Sequence, residues 1–324
     1  MLVVLPPFIN YSLVNGMFEP LSLGHMVILI PDYKPEDFCK YITKYRPNHI
    51  NSIPAYLEVL LRDPSSKNTD FSCFKHVYYG GEAMPEEVEQ ELNDLILSRG
   101  AKQKLGKGLG ATEMVSSISF TVEACNSPGS AGIPFVRSNC KIVMPETEEE
   151  LGYFQPGEIC FSGPTMMIGY YNNKEATDSI VKTHADGQRW LHIGDIGYLD
   201  TDGVIHITGR IKRIFTTKGK DGVSTKLFPD RIEKVIYQHP AVSLCCVVGV
   251  PDKTRMHYPK VFIVPKVGTF ASEALTAEIL QLCKEKLPEY MVPDEVEYRH
   301  DLPRTSRGKV DYRALERIAE AETK

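Results

Sequence analysis

The sequence has no apolar run that approaches the roughly 18 residues needed to span a bilayer, no internal repeat and no low-complexity tract. Its opening stretch, Met1-Leu2-Val3-Val4-Leu5-Pro6-Pro7, is apolar but carries no positive flank, and two prolines interrupt it. That pattern does not make a secretory signal, so a cytoplasmic protein is expected. Eight cysteines are present, none spaced C-x-x-C and none beside a histidine at zinc-finger spacing. A zinc framework is thereby excluded, and reduced thiols packed as small apolar side chains are expected. Basic charge is in slight deficit, with 37 Lys and Arg against 42 Asp and Glu. No sequence-wide excess exists to neutralise a phosphate backbone, so nucleic acid is not an expected partner. None of the nine histidines stands at metal-ligand or nucleophile–base spacing from such a neighbour, which leaves them as packed or solvated residues.

With 42% hydrophobic and 24% charged residues over 324 positions, the composition is that of a globular chain too long for one ordinary core. Residues 1 to about 138 alternate short apolar runs with helical patterns. Val27 to Ile30, Asn48 to Ile53 and His76 to Tyr79 read as strands, while Pro35 to Tyr45, Ala55 to Leu61 and Pro85 to Ser98 read as helices. Strand, helix, strand, helix at this spacing implies a parallel sheet with crossover helices. From 139 to 209 the pattern changes to strands separated by glycine turns, with Asp202-Gly203 as a hairpin turn. Beyond Arg210 it is mixed, with Val247 to Val250 and Lys260 to Val264 as strands and Asp230 to Gln238 and Ser272 to Leu287 as helices. The expected class is α/β: a mostly parallel sheet with helices (1–138), a small antiparallel barrel-like subdomain (139–209), and a small α+β C-terminal domain (210–324).

Five short segments offer chemistry. Gly110-Ala111-Thr112-Glu113 puts a hydroxyl beside a carboxylate, a pair suited to a phosphate and a hard cation, although an ordinary strand-end turn has the same composition. Gly80-Gly81-Glu82-Ala83 leaves bare backbone for a flat ligand, or is simply a strand-to-helix turn. Asp195 in Ile193-Gly194-Asp195 can bridge two vicinal hydroxyls, as acidic side chains do for ribose, or sit on a surface turn. Arg210 ends a strand with a fixed cation that reaches sugar or phosphate oxygens bidentately, or forms a surface ion pair. Lys309, in the basic loop Arg304-Thr305-Ser306-Arg307-Gly308-Lys309, is a mobile point charge suited to a phosphoryl centre, or part of a solvated turn. Thr216-Thr217-Lys218-Gly219-Lys220 lacks the spacing of a P-loop and is not read as one.

The order of these segments is more specific than any one of them. Tyr79-Gly80-Gly81-Glu82-Ala83, Leu109-Gly110-Ala111-Thr112-Glu113, Gly157-Glu158-Ile159-Cys160-Phe161-Ser162-Gly163-Pro164 and Gly169-Tyr170-Tyr171-Asn172 follow one another. His192-Ile193-Gly194-Asp195, Gly209-Arg210-Ile211-Lys212, Leu287-Pro288-Glu289-Tyr290-Met291-Val292-Pro293 and Arg307-Gly308-Lys309-Val310-Asp311 complete the series. In this order the chain resembles the adenylate-forming superfamily of acyl-CoA synthetases, peptide-synthetase adenylation domains and firefly-type luciferases, over essentially its whole length.

The resemblance implies an AMP-forming acyl-activating ligase using ATP, Mg²⁺ and coenzyme A on a small carboxylic acid. It implies that Thr112 bonds the α-phosphate, that Glu113 ligates Mg²⁺, and that Gly81, Glu82, Ala83, Leu109 and Gly110 lie around adenine. Asp195 and Arg210 would hold the ribose diol, Lys212 would be the hinge of a mobile C-terminal domain, and Lys309 would bridge carboxylate and α-phosphate. Four positions depart from the family pattern. Its Ser/Thr/Gly-rich phosphate loop has no match here and is expected upstream of residue 1, so the chain is expected to correspond to the C-terminal two-thirds or so of such an enzyme. Leu109 replaces a tyrosine that stacks on adenine, and Ile9 replaces a histidine near the acyl pocket. Arg213 replaces an acidic residue after the hinge, beside a lengthened Gly219–Pro229 segment on the thiol-acceptor route. A carrier-protein-loading adenylation enzyme and a non-catalytic adenylate-binding protein are the alternatives. Self-association through surface that an upstream part would cover is a further expectation.

Overall fold

The computed structural model describes residues 1–218, 224–305 and 309–322. The chain divides into two compact units, Met1–Ile207 and Thr208–Lys324.

The first unit opens with a five-stranded parallel sheet. Its strands are β1 (Leu2–Val3), β2 (Ile28–Leu29), β3 (His49–Ser52), β4 (His76–Gly80) and β5 (Gly106–Gly108), in the order β2-β1-β3-β4-β5. Parallel neighbours need crossover connections, and helices supply them. The helix Phe38–Tyr45 buries Phe38, Cys39 and Ile42, whose spacing places them on one face, and Arg46 in a left-handed conformation ends it. The helix Glu86–Ser98 turns Leu92 and Ile96 into the same core, which also holds Leu2, Ile50, Val77 and Phe71. An element with no sequence signal joins β1 to β2: a π-helix over Tyr11–Phe18, running into a single α-turn at Glu19–Ser22.

A short pair, β6 (Ser119–Phe120) and β7 (Ile133–Pro134), leads into an antiparallel sheet. Its strands are β8 (Asn139–Val143), β9 (Gly157–Ser162), β10 (Val181–Thr183), β11 (Arg189–Leu199) and β12 (Ile205–Arg210). The order is β10-β11-β9-β8, with β12 on β11. The alternation of strand side chains sends Ile142, Ile159, Phe161, Leu191 and Ile205 into one apolar cluster. Lys141, Glu158, Cys160, Trp190 and His192 are nonetheless buried as well.

In the second unit β13 (Phe215–Lys218) pairs β14 (Ser224–Leu227), and β15 (Val242–Asp252), β16 (Met256–Pro265) and β17 (Glu295–Tyr298) form a mixed sheet. Alternation again sorts the core. Cys245 and Val247 pack with the helices Pro229–Ile236 and Glu273–Lys286, while Cys246, Val248 and Val250 pack with Leu315 and Ala319 of the helix Tyr312–Glu322. All eight cysteines are free thiols; six are buried, and Cys125 and Cys140 are partly exposed. Among the described residues no helix is long and apolar enough to cross a membrane.

Candidate functional site

In a parallel sheet, ligands bind outside the carboxyl ends of the strands, where loops diverge and backbone groups point outward. β4 and β5 are neighbours, with Gly80 opposite Gly108. The segments Gly81-Glu82-Ala83 and Leu109-Gly110-Ala111-Thr112-Glu113 therefore leave adjacent strand ends, although they are far apart in sequence.

 The intervening stretch holds the helix Glu86–Ser98, so only the parallel pairing brings the two segments side by side. Gly81 and Ala83 are exposed and Glu82 is half-buried.

The second segment is a closed loop. Gly110 bridges Ser117, Ala111 N–H donates to Ser116 O at 2.9 Å, and Ile118 N–H donates to Leu109 O at 2.9 Å. A Cβ on Gly110 would sit 2.8 Å from that same Ser116 carbonyl, so only glycine lets the two arms approach. Thr112–Met114 form a 3₁₀ turn at the tip, which leaves Thr112 exposed and Glu113 half-buried while Met114 is pulled into the core. Glu113 is held from outside the loop: Tyr170 OH donates to its Oε1, and Met167 N–H donates to its carbonyl at 2.7 Å. Burial, with the neighbouring Glu113 carboxylate, pushes the Tyr170 phenol up to about 12. A carboxylate beside an exposed hydroxyl is an all-oxygen donor set, which fits a hard divalent cation.

Asp195 lies in β11 where the pairing with β9 shifts register between His192 and Ile196. Gly194 takes φ +74° inside this bulge, a conformation that re-aims the next side chain. Asp195 is buried, at 3% exposure. Ile193, two residues before it, packs in the same apolar cluster as Leu109, Ala111 and Met114, which ties the bulge and the loop to one core. Gly81, Glu82, Ala83, Leu109, Gly110, Thr112, Glu113 and Asp195 all belong to the first unit.

Arg210, Lys212 and Lys309 belong to the second unit. Arg210 is exposed at the end of β12, and Lys212 is exposed in the 3₁₀ turn Ile211–Arg213. Lys309 is half-buried, its carbonyl accepting from Thr305 N–H at 2.7 Å. Ser306, Arg307 and Gly308 of the basic loop lie outside the described residues, as do residues 219–223 of the lengthened segment after the hinge position. Arg213 is half-buried in an ion-pair group. Its Nη1 donates to Asp230 Oδ1 at 2.9 Å and to Glu233 Oε2 at 3.1 Å, and its Nη2 donates to Glu233 Oε1 and to Val247 O at 3.2 Å. Burial opposes the guanidinium charge, but Glu233 and Asp230 outweigh it and hold Arg213 charged.

One polar group escaped the sequence reading. Cys160 on β9 stands opposite His192 on β11, and with Glu158 their ligand atoms lie within 4.8 Å of one another. His192 Nδ1 is 2.8 Å from Glu158 Oε2, and its Nε2 is 2.9 Å from His184 Nε2. One proton per ring satisfies this chain: His192 Nδ1–H donates to Glu158, and His184 Nε2–H donates to His192. Burial, then Lys141 and His192, lower the His184 pKa and keep that ring neutral. In this arrangement His184 Nδ1 is left buried without a hydrogen-bond partner. Glu158 and Cys160 share a strand face legibly, but His192 joins them only through the register of a separate strand.

Residues 1–171 match the AMP-binding enzyme family, and residues 231–309 match the AMP-binding enzyme C-terminal domain. A long-chain-fatty-acid–CoA ligase of Bacillus subtilis is 33% identical over 96% of this chain and 53% of its own length. A probable 4-coumarate–CoA ligase of Dictyostelium discoideum is 32% identical over 89% of this chain and 49% of its own. The chain spans about half the length of the curated relatives it matches. Among solved structures, the o-succinylbenzoate CoA synthetase of Bacillus subtilis, in complex with its acyl-adenylate intermediate, superposes with a TM-score of 0.80 at 25% identity. That likeness covers 97% of this chain and 60% of the other.

Proposed function

From the premise that the chain belongs to the AMP-binding enzyme family, we propose that it carries the adenylate-handling part of an acyl-CoA ligase. The observation that carries this reading is the pair of loops leaving the adjacent ends of β4 and β5, with Thr112 and Glu113 on one of them. In the proposed reaction a carboxylate oxygen attacks the α-phosphorus of ATP and pyrophosphate leaves. A thiol then attacks the acyl carbon, and AMP leaves with the electron pair. The first step supplies a leaving group that a free carboxylate lacks.

Each residue has a role in this reading. Gly81, Glu82, Ala83, Leu109 and Gly110 border adenine, with Leu109 giving apolar contact. Thr112 donates its hydroxyl proton to an α-phosphate oxygen. Asp195 accepts from the ribose hydroxyls, and Arg210 of the second unit donates to them. Lys309 neutralises charge between carboxylate and α-phosphate, and Lys212 is the hinge about which the second unit turns. Glu113 would hold Mg²⁺, which would offset phosphate charge when bound. The relatives' names point to fatty or 4-coumarate-like aromatic acids as the substrate class, with coenzyme A as acceptor. Eight free thiols agree with a reducing, cytoplasmic setting.

The 324 residues contain no segment matching the Ser/Thr/Gly-rich loop that grips the β- and γ-phosphates in this family. The chain tested alone should therefore bind AMP or an acyl-AMP analogue better than it turns over ATP, because two charged phosphates would lose hydration without a backbone N–H cradle. Calorimetry with AMP, repeated on Asp195→Asn, tests the reading together with a pyrophosphate-release assay over fatty and aromatic acids. AMP binding that Asp195→Asn weakens supports it. No AMP binding, or binding indifferent to Asp195, sinks the nucleotide assignment, and robust pyrophosphate release sinks the argument from the phosphate loop.

A further inference from the structure

The loop that carries Thr112 and Glu113 contains a strained residue. Val115, directly after the 3₁₀ turn, adopts φ 72°, ψ −52°, a region that a β-branched side chain rarely enters and that costs free energy to hold. Such a conformation persists only where its surroundings over-determine it. Hydrogen bonds between Gly110 and Ser117 and between Ala111 and Ser116 hold the two arms together. They do not fix the loop's position on the sheet.

Tyr170 and Met167 hold Glu113 at the tip, and a second element holds the arm that follows Val115. Asn15 lies in the π-helix Tyr11–Phe18, a geometry that is rare and frequent at functional sites. Its Oδ1 accepts from Ser116 Oγ and, at 3.4 Å, from Ser117 Oγ, the two residues that follow Val115. The rest of Asn15 is itself anchored. Its Nδ2 donates to Glu19 Oε2 at 2.9 Å, and its carbonyl accepts from Asn51 Nδ2, on β3, at 3.0 Å. One residue, bonded to Asn51 through its backbone carbonyl and to Ser116 through its carboxamide, thus connects the π-helix and the parallel sheet to the strained end of the loop, about a hundred residues along the chain.

We propose that Asn15 is a positioning residue that clamps the Gly110–Ser117 loop, so that Thr112 and Glu113 are presented to the nucleotide in one arrangement. This rests on the adenylate reading of that loop, but the clamp has a readout that does not need a nucleotide. With the clamp removed, the strain at Val115 relaxes and the tip samples other turns. Preorganisation is lost while the surrounding core stays packed.

The test uses the full chain and the variants Asn15→Ala, Ser116→Ala and the pair together. Amide hydrogen exchange of residues 110–118 should accelerate selectively in Asn15→Ala, while β9 and β11 keep their protection. AMP affinity should fall about tenfold, the size of one or two lost hydrogen bonds. Ser116→Ala should add little once Asn15 is gone, because both variants break the same bond. Unchanged exchange in 110–118, acceleration spread evenly over the unit, or fully additive losses would each overturn the clamp. Absence of AMP binding in the unsubstituted chain would sink the adenylate reading, and the exchange data would still decide whether Asn15 holds the loop.

Discussion

Two 3₁₀ turns, Thr112–Met114 and Ile211–Arg213, each come two residues after a glycine in close contact. A Cβ on Gly110 would meet the Ser116 carbonyl at 2.8 Å, and one on Gly209 would meet Asp230 Oδ2 at 3.0 Å. The two turns are secured by different means. The first is closed by its own backbone across eight residues, with strain at Val115 and a carboxamide brace. The second is secured by charge, as Arg213 reaches Asp230, Glu233 and Val247 on a helix and a strand much later in sequence. A backbone-closed turn presents its exposed side chains on a frame that local residues dictate. A charge-anchored turn is held only where its cation is paired, which leaves Lys212 exposed and Arg213 fixed beside it.

The largest effect expected from breaking this contrast is at Arg213. Arg213→Met leaves the buried Glu233 and the half-buried Asp230 without their cation, and the second unit should lose about 3 kcal/mol in chemical denaturation, the lower end for a broken buried pair. Converting Asp230 and Glu233 to their amides in the same chain should recover much of that loss. If Arg213→Met alone costs nothing, charge does not secure the second turn.

Gly110→Ala is the matching change in the first turn. A methyl group driven against a backbone carbonyl should cost about 1–3 kcal/mol and weaken AMP binding, read by thermal unfolding and calorimetry. Because the contact is with backbone, no change of side-chain rotamer relieves it. An unaltered AMP affinity would show that the closeness of the two arms is irrelevant to the ligand.

A smaller effect distinguishes the turns by pH. Burial, the largest cause, and neighbouring Glu233 raise the Asp230 carboxyl above its usual range, although Arg213 opposes them. With the folded value above the unfolded one, about 3.9 for aspartate, this group's contribution is fully present below that unfolded value. It is lost as pH rises through the folded value. Asp230→Asn removes one partner of Arg213 but also relieves that charge, so at neutral pH its net effect should be smaller than either loss above. The variant should lose ground against the unsubstituted chain as pH falls below the unfolded value; a difference that does not change with pH would assign the effect to packing rather than titration.

Much of the fold, and the turn that carries Thr112 and Glu113, was legible from residue order. Alternation in Gly157–Phe161 and Val247–Val250, the helical spacing of Phe38, Cys39 and Ile42, and the glycine-bounded Gly110-Ala111-Thr112-Glu113 are properties of a few adjacent residues. Backbone sterics and side-chain period act over that same range. The π-helix at Tyr11–Phe18 gave no such signal, because its widened turn matches neither the helical nor the strand period. The clustering of Glu158, Cys160, His184 and His192, the reach of Arg213 to Asp230 and Glu233, and the bond from Asn15 to Ser116 were decided by tertiary structure alone. Each depends on strand register or on packing between segments distant in sequence. A one-residue slip in that register would turn the same side chains to the opposite face.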